Sequence, residues 1–133
     1  MNETIILQNE YATIRHNTQF DYLHHTFHKP ISGEPFRSTM NMALDYLRDH
    51  HVTKWLSDDR KNAEFTQADV AFAVEDWGPR AAETDWKYWA LVVPEDVVAR
   101  ATMTEIVQVF WKFGIKVAFF NNLPEAKNWL QQQ

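Results

Sequence analysis

The order of apolar and polar residues predicts an α/β fold built on a mixed sheet, and three observations carry that prediction. Between residues 4 and 28, three short β-prone runs, TIIL, ATIRH and FDYLHHTFH, are separated by turn residues at 8–10 and 17–19, the pattern of an antiparallel meander. From Val52 onward, short apolar runs alternate with stretches of helical period, the signature of parallel βαβ units. One of those runs, WKYWALVV, is nearly all apolar, as a central strand covered on both faces must be. The expected order is βββαβαβαβα, with about four helices in a single domain spanning residues 1–133.

Each element has its own warrant. In the third run, period-two alternation places Tyr22, His24, Thr26 and His28 on one face and Leu23, His25 and Phe27 on the other. Pro30, Gly33 and Pro35 punctuate the chain, and Pro35 suits the first turn of a helix. Phe36, Met40, Ala43, Leu44 and Leu47 then recur at helical spacing, predicting a helix over about residues 34–50. After the strand at Val52, Thr66-Gln67-Ala68-Asp69 reads as a capping box with Asp in place of Glu or Gln. Val70, Ala73, Val74, Trp77 and Ala81 make the apolar face of the helix it opens, and Gly78-Pro79 predicts a kink or an early stop. Pro94-Glu95-Asp96 ends the next strand. Thr102-Met103-Thr104-Glu105 reads as a second capping box, ahead of a stripe at Ile106, Val109, Phe110 and Phe113 closed by Gly114. IKVAFF is the last strand, and Asn122 caps a final helix that packs Ala126, Trp129 and Leu130.

Composition narrows the function classes. With 45% hydrophobic and 23% charged residues the chain is ordinarily globular, and its six Trp and nine Phe give an aromatic surplus for a filled core. A net charge of −5 provides no basic stripe to displace counterions, which argues against nucleic acid as a partner and against electrostatic attachment to anionic lipid. The absence of cysteine excludes disulfides and thiolate metal sites. The start, MNETIILQNEY, has neither the basic segment nor the apolar run of a signal peptide. No apolar segment approaches the ~18 residues that span a bilayer. The expectation is a cytoplasmic protein without a transmembrane segment.

Catalytic motifs are few. Only three glycines are present, and the loops that should cradle phosphate or a dinucleotide are glycine-poor. There is no Cys and no G-x-S-x-G elbow, and Ser32, Ser38 and Ser57 have no recognisable base by spacing. His24, His25 and His28 cluster, but His24 and His28 lie about 13 Å apart along a strand, too far to share an ion. Asp58 and Asp59, with Glu95 and Asp96, end two neighbouring strands and make a conceivable magnesium cluster, yet Arg60 and Lys61 follow at once. Ion pairing in the loop and strand capping are the favoured reading, so no metal, cofactor or catalytic residue is expected. Phe72 and Trp111, set opposite their buried stripes, suit a dimer or partner surface. An apolar cleft between helix and sheet is a second place for a ligand.

The runs WLSDDRKNAEFTQADVAFAVEDWGPRA and YWALVVPEDVVARATMTEI, with the closing FFNNLPEAKNWL, resemble the SpoIIAA-like group of STAS domains, relatives of bacterial anti-sigma factor antagonists also labelled STAS/SEC14-like. The resemblance covers roughly residues 5 to 131. Its most specific parts are Asp58/Asp59-Arg60-Lys61, Trp77-Pro79-Arg80 and Val92 to Asp96. It implies a four-helix, mixed-sheet STAS fold and a binding or regulatory role rather than an enzyme. Antagonists of this type carry a phosphorylatable Ser after an Asp at a helix start. The Asp-Ser-Ser-Gly pattern is absent here, and Thr66 is the nearest hydroxyl at a helix N-terminus, with Ser57 before the aspartates. A phosphate on Thr66 would meet the helix N-terminus and Arg60 or Lys61, although an N-cap role accounts for Thr66 without it.

Together these readings predict a non-enzymatic interaction module. It uses a crevice at the carboxyl ends of the strands, where ligands of open α/β sheets bind, with Asp58, Asp59, Arg60, Lys61, Thr66, Trp77, Arg80, Glu95 and Asp96 as binding residues. The partner is a protein, with a homodimer as a further expectation. The alternative is carriage of a small apolar, lipid-like ligand in the helix–sheet cleft, with the Gly78-Pro79 break as a lid.

Overall fold

The computed structural model describes residues 2–63 and 65–133, which leaves Met1 and Glu64 outside the description. Six strands form one sheet in chain order: β1 (Glu3–Gln8), β2 (Ala12–Asn17), β3 (Tyr22–Phe27), β4 (Lys54–Asp58), β5 (Tyr88–Val92) and β6 (Lys116–Phe120). The β1–β2 and β2–β3 pairs are antiparallel, and every later pair is parallel. This is the mixed α/β sheet that the meander followed by crossovers predicts. A bulge between Ile5 and Leu7 interrupts the edge strand β1 and leaves Ile5 exposed, the kind of irregularity that blunts an open edge.

The crossovers place α1 (Glu34–Asp49), the helical stretch after β4 and α4 (Val97–Lys112) on one face of the sheet, and α5 (Leu123–Gln131) alone on the other. The larger core joins Leu23 and Phe27 of β3, Trp55 of β4 and Trp89 of β5 to Met40, Leu44 and Leu47 of α1, Trp77 and Phe110. The α1 stripe is buried throughout, as its spacing requires. A smaller core on the opposite face joins Tyr22, Leu56, Ala90 and Val92 to Ala126 and Leu130 of α5. Trp55, Tyr22 and Phe110 are essentially inaccessible. Full burial of a side chain of this size contributes about 1.5–3 kcal/mol.

Two details of the helices depart from the sequence expectation. Between β4 and β5 the chain does not stop at Gly78-Pro79. It runs through α2 (Gln67–Ala71), a π-helical turn (Phe72–Trp77) and α3 (Gly78–Ala82) as one unbroken helix. Pro79 has no N–H and its ring crowds the carbonyl one turn back. The wider π turn, in which the Gly78 N–H reaches Ala73 O, accommodates that proline without a break. The second departure is at α4, which starts at Val97 with Asp96 as its N-cap. Thr102 and Thr104 lie inside that helix and donate their hydroxyls to the carbonyls of Val98 and Arg100, so the Thr102–Glu105 capping box is not formed. Counting the α2–π–α3 stretch once, the described residues form four helical bodies. No described helix is long and apolar enough to cross a membrane.

Candidate functional site

The carboxyl ends of β4 and β5 meet at one rim of the sheet. Asp59 N–H donates to Val92 O at 3.1 Å, and Glu95 N–H donates to Arg60 O at 3.1 Å. The Asp58–Lys61 and Glu95–Asp96 segments are therefore neighbours. Their carboxylates nevertheless do not converge. Strand alternation sends adjacent side chains to opposite faces, so Asp58 lies on the α5 side with Val92 and Asp59 on the large-core side with Ser57. Asp58 is gripped by its own loop, with Arg60 Nε donating to Oδ1 at 2.8 Å and Nη2 to Oδ2 at 2.7 Å. Burial pushes the Asp58 carboxyl up, but the Arg60 guanidinium more than offsets it and holds the group below its usual value. Asp96 is committed to the α4 cap, accepting from Ala99 N–H at 2.9 Å. Among the described residues no three His, Asp or Glu side chains are placed to hold a metal.

Outward from this rim the surface turns apolar. Val97 and Val98, the first two residues of α4, are 76% and 74% exposed. One turn further on, Thr102 lines a shallow groove of about 450 Å³ between α4 and the α2–π stretch, whose other wall includes Phe65, Val70 and Val74. Arg60 is half-exposed and Lys61 exposed beside the valines' helix start. Neither valine stood out in the sequence, where VVPEDVV reads as a strand ending in an acidic turn.

Beneath the rim, on the large-core side, lies a buried cavity of about 50 Å³. Its wall is mostly aromatic, including Phe36, Trp55, Trp77, Trp86, Trp89 and Phe110, with His25, Ser57 and Asp59 as polar members. Trp55 Nε1 donates to His25 Nδ1 at 2.9 Å, and His25 Nε2 meets Asp59 Oδ1 at 2.7 Å. An indole N–H can only donate, so Nδ1 accepts and the ring proton on Nε2 points to Asp59. Ser57 faces its in-register neighbour His25 but accepts from Trp89 Nε1 at 2.8 Å. Both His25 nitrogens are occupied elsewhere, so His25 is not free to activate Ser57 as a nucleophile.

The remaining sequence candidates sit in the scaffold. Trp77 is buried and donates its indole N–H to Met40 O at 2.9 Å. Arg80 donates to Asp76 on its own helix at 3.0 Å and to Asn41 of α1 at 2.7 Å, fastening the two helices together. Thr66 accepts from Asp69 N–H at 3.1 Å as the α2 N-cap. Ser57 is buried against Trp89. The histidines do not gather: His24 lies on the α5 side, His25 lines the cavity, and His28 bonds Thr13 Oγ1 at 2.7 Å. His24 is buried with Nδ1 unpartnered. Desolvation first, then Lys127 nearby, lowers its pKa to about 3.

A family model described as SpoIIAA-like matches residues 22–131, from the start of β3 to the end of α5. Comparison with curated proteins and with solved structures gave no match.

Proposed function

The chain belongs to the SpoIIAA-like family, and from that premise we propose that it is a non-enzymatic regulatory module whose protein partner docks on the rim formed by Arg60–Lys61 and the start of α4. The observation that carries this reading is the pair Val97 and Val98, about three-quarters exposed at the start of α4, one turn before Thr102 enters a groove of mixed apolar and polar lining. An apolar centre with a charged margin is the anatomy of a protein interface. The occupied ring nitrogens of His25 and the capping role of Asp96 support recognition rather than turnover. Arg60 serves two ends at once: its guanidinium neutralises buried Asp58, and its carbonyl holds the Glu95 turn.

The test is affinity capture with wild type and with an Arg60→Glu/Lys61→Glu variant of unchanged circular dichroism. Loss of a partner that the wild type retains is expected, and undiminished capture of every partner would refute the assignment. Reversal of rim charges acts on association rate and specificity, so the loss should deepen as ionic strength is lowered.

A second reading, binding of a small ligand under the rim, is favoured by the cavity itself. Its void of about 50 Å³ is far too small for a lipid chain as it stands, given about 30 Å³ for each water in the liquid. The ligand in this reading is small, or its remainder extends outward past Phe65, which lines both the cavity and the groove.

A further inference from the structure

We propose that the buried cavity is a site for a small protonated amine, its ammonium head against Asp59 and its short hydrocarbon arm among the aromatic rings. The proposal rests on the second reading above and specifies the chemistry of that ligand.

The argument is an inventory of donors and acceptors. The indole N–H groups around the cavity are all spent: Trp55 on His25, Trp77 on Met40 O, Trp86 on Tyr88 O and Trp89 on Ser57. The His25 ring proton is spent on Asp59 Oδ1. The wall therefore has no N–H left on these rings for an anion or a carbonyl, and among the described residues that line it the Ser57 hydroxyl hydrogen is the one side-chain donor remaining. Acceptor capacity, by contrast, is left over. Asp59 is 2% exposed and lines the cavity, yet its second oxygen has no hydrogen-bond partner among the described residues.

A buried carboxylate with a single neutral donor is poorly compensated, and a cationic donor is its complement in charge and in hydrogen bonding. The flanking rings reinforce the choice, because aromatic faces attract a desolvated cation. The void of about 50 Å³ accepts a head group of one or two heavy atoms, since water takes about 30 Å³ apiece. Phe65, shared between cavity and groove, marks the side from which the arm enters.

The experiment compares n-butylamine, 1-butanol and butyrate, equal in chain length, on the full chain at neutral pH. Binding is read from the ¹H–¹⁵N indole signals of Trp55 and Trp89, whose N–H groups bond His25 and Ser57. The amine is expected to shift both signals and to bind about tenfold or more tightly than the alcohol, with butyrate inert. In Asp59→Asn the amine is expected to fall to the level of the alcohol, whose own affinity is unchanged. Equal binding of amine and alcohol by the wild type, or an amine preference that survives Asp59→Asn, overturns the proposal while leaving small-ligand binding intact. Failure of all three probes to bind overturns both. If Asp59→Asn does not fold, the wild-type ranking of the three probes decides.

Discussion

His24 and His25 are neighbours in sequence and opposites in circumstance. His25 has both ring nitrogens engaged, by Trp55 and Asp59. His24 is buried on the other face with Nδ1 unpartnered and a pKa near 3. A histidine held neutral when folded, but free to protonate when unfolded, makes the unfolded state bind the extra proton. Stability contributed by His24 neutrality is therefore present above the unfolded value near 6.5 and is lost as pH falls from there toward 3. The slope in that window approaches about 1.4 kcal/mol per pH unit. His24→Gln is expected to flatten urea-derived stability between pH 6.5 and 4 relative to wild type, and an unchanged slope would show that another group carries it. Alternation in FDYLHHTFH separated the two histidines before any coordinates were needed. The same rule applied to Asp58 and Asp59 splits them as well, and treating them as one cluster concealed that only Asp59 reaches the cavity. The His25–Asp59 bond spans 34 positions and leaves no local trace in sequence.

Elements were legible where one local rule dominates, and obscured where two compete. The α1 stripe and the Thr66 and Asn122 caps follow directly from spacing and side-chain chemistry. At α4 the sequence pointed to the Thr102–Glu105 box, but the helix starts six residues earlier at the Asp96 cap, because the chain turns into helix soon after Pro94 leaves the sheet. At Gly78-Pro79 the proline rule predicted a kink or an early stop; the helix does not stop, because the π turn absorbs the proline. That solution depends on the absence of a side chain at 78: a Cβ there would lie 2.8 Å from the carbonyl oxygen of Ala73. Gly78→Ala, elsewhere a helix-stabilising exchange, is expected here to cost about 1–3 kcal/mol in urea unfolding. Because Ala73 and Trp77 of the π turn line the cavity, the same variant should perturb the Trp55 and Trp89 indole signals. A neutral or stabilising Gly78→Ala would show that the π turn relaxes to α-helix at no cost.

At the scale of the whole molecule, the division of labour follows from topology. An antiparallel meander supplies one side of the sheet, three parallel crossovers supply the other, and the carboxyl ends of the parallel strands carry both the charged rim and the cavity beneath it. The sequence disclosed the rim, because charge collects visibly after apolar strands. It did not disclose the cavity, because an aromatic surplus looks the same whether it fills a core completely or leaves a void. The central claim is that a protein partner is recognised at this rim. Amide hydrogen exchange of the chain alone and in complex with its captured partner tests it most directly. Protection concentrated in residues 59–63 and 95–102 is the predicted result, and protection confined to β1, β2 or α5, with the rim exchanging as in the free protein, would contradict it.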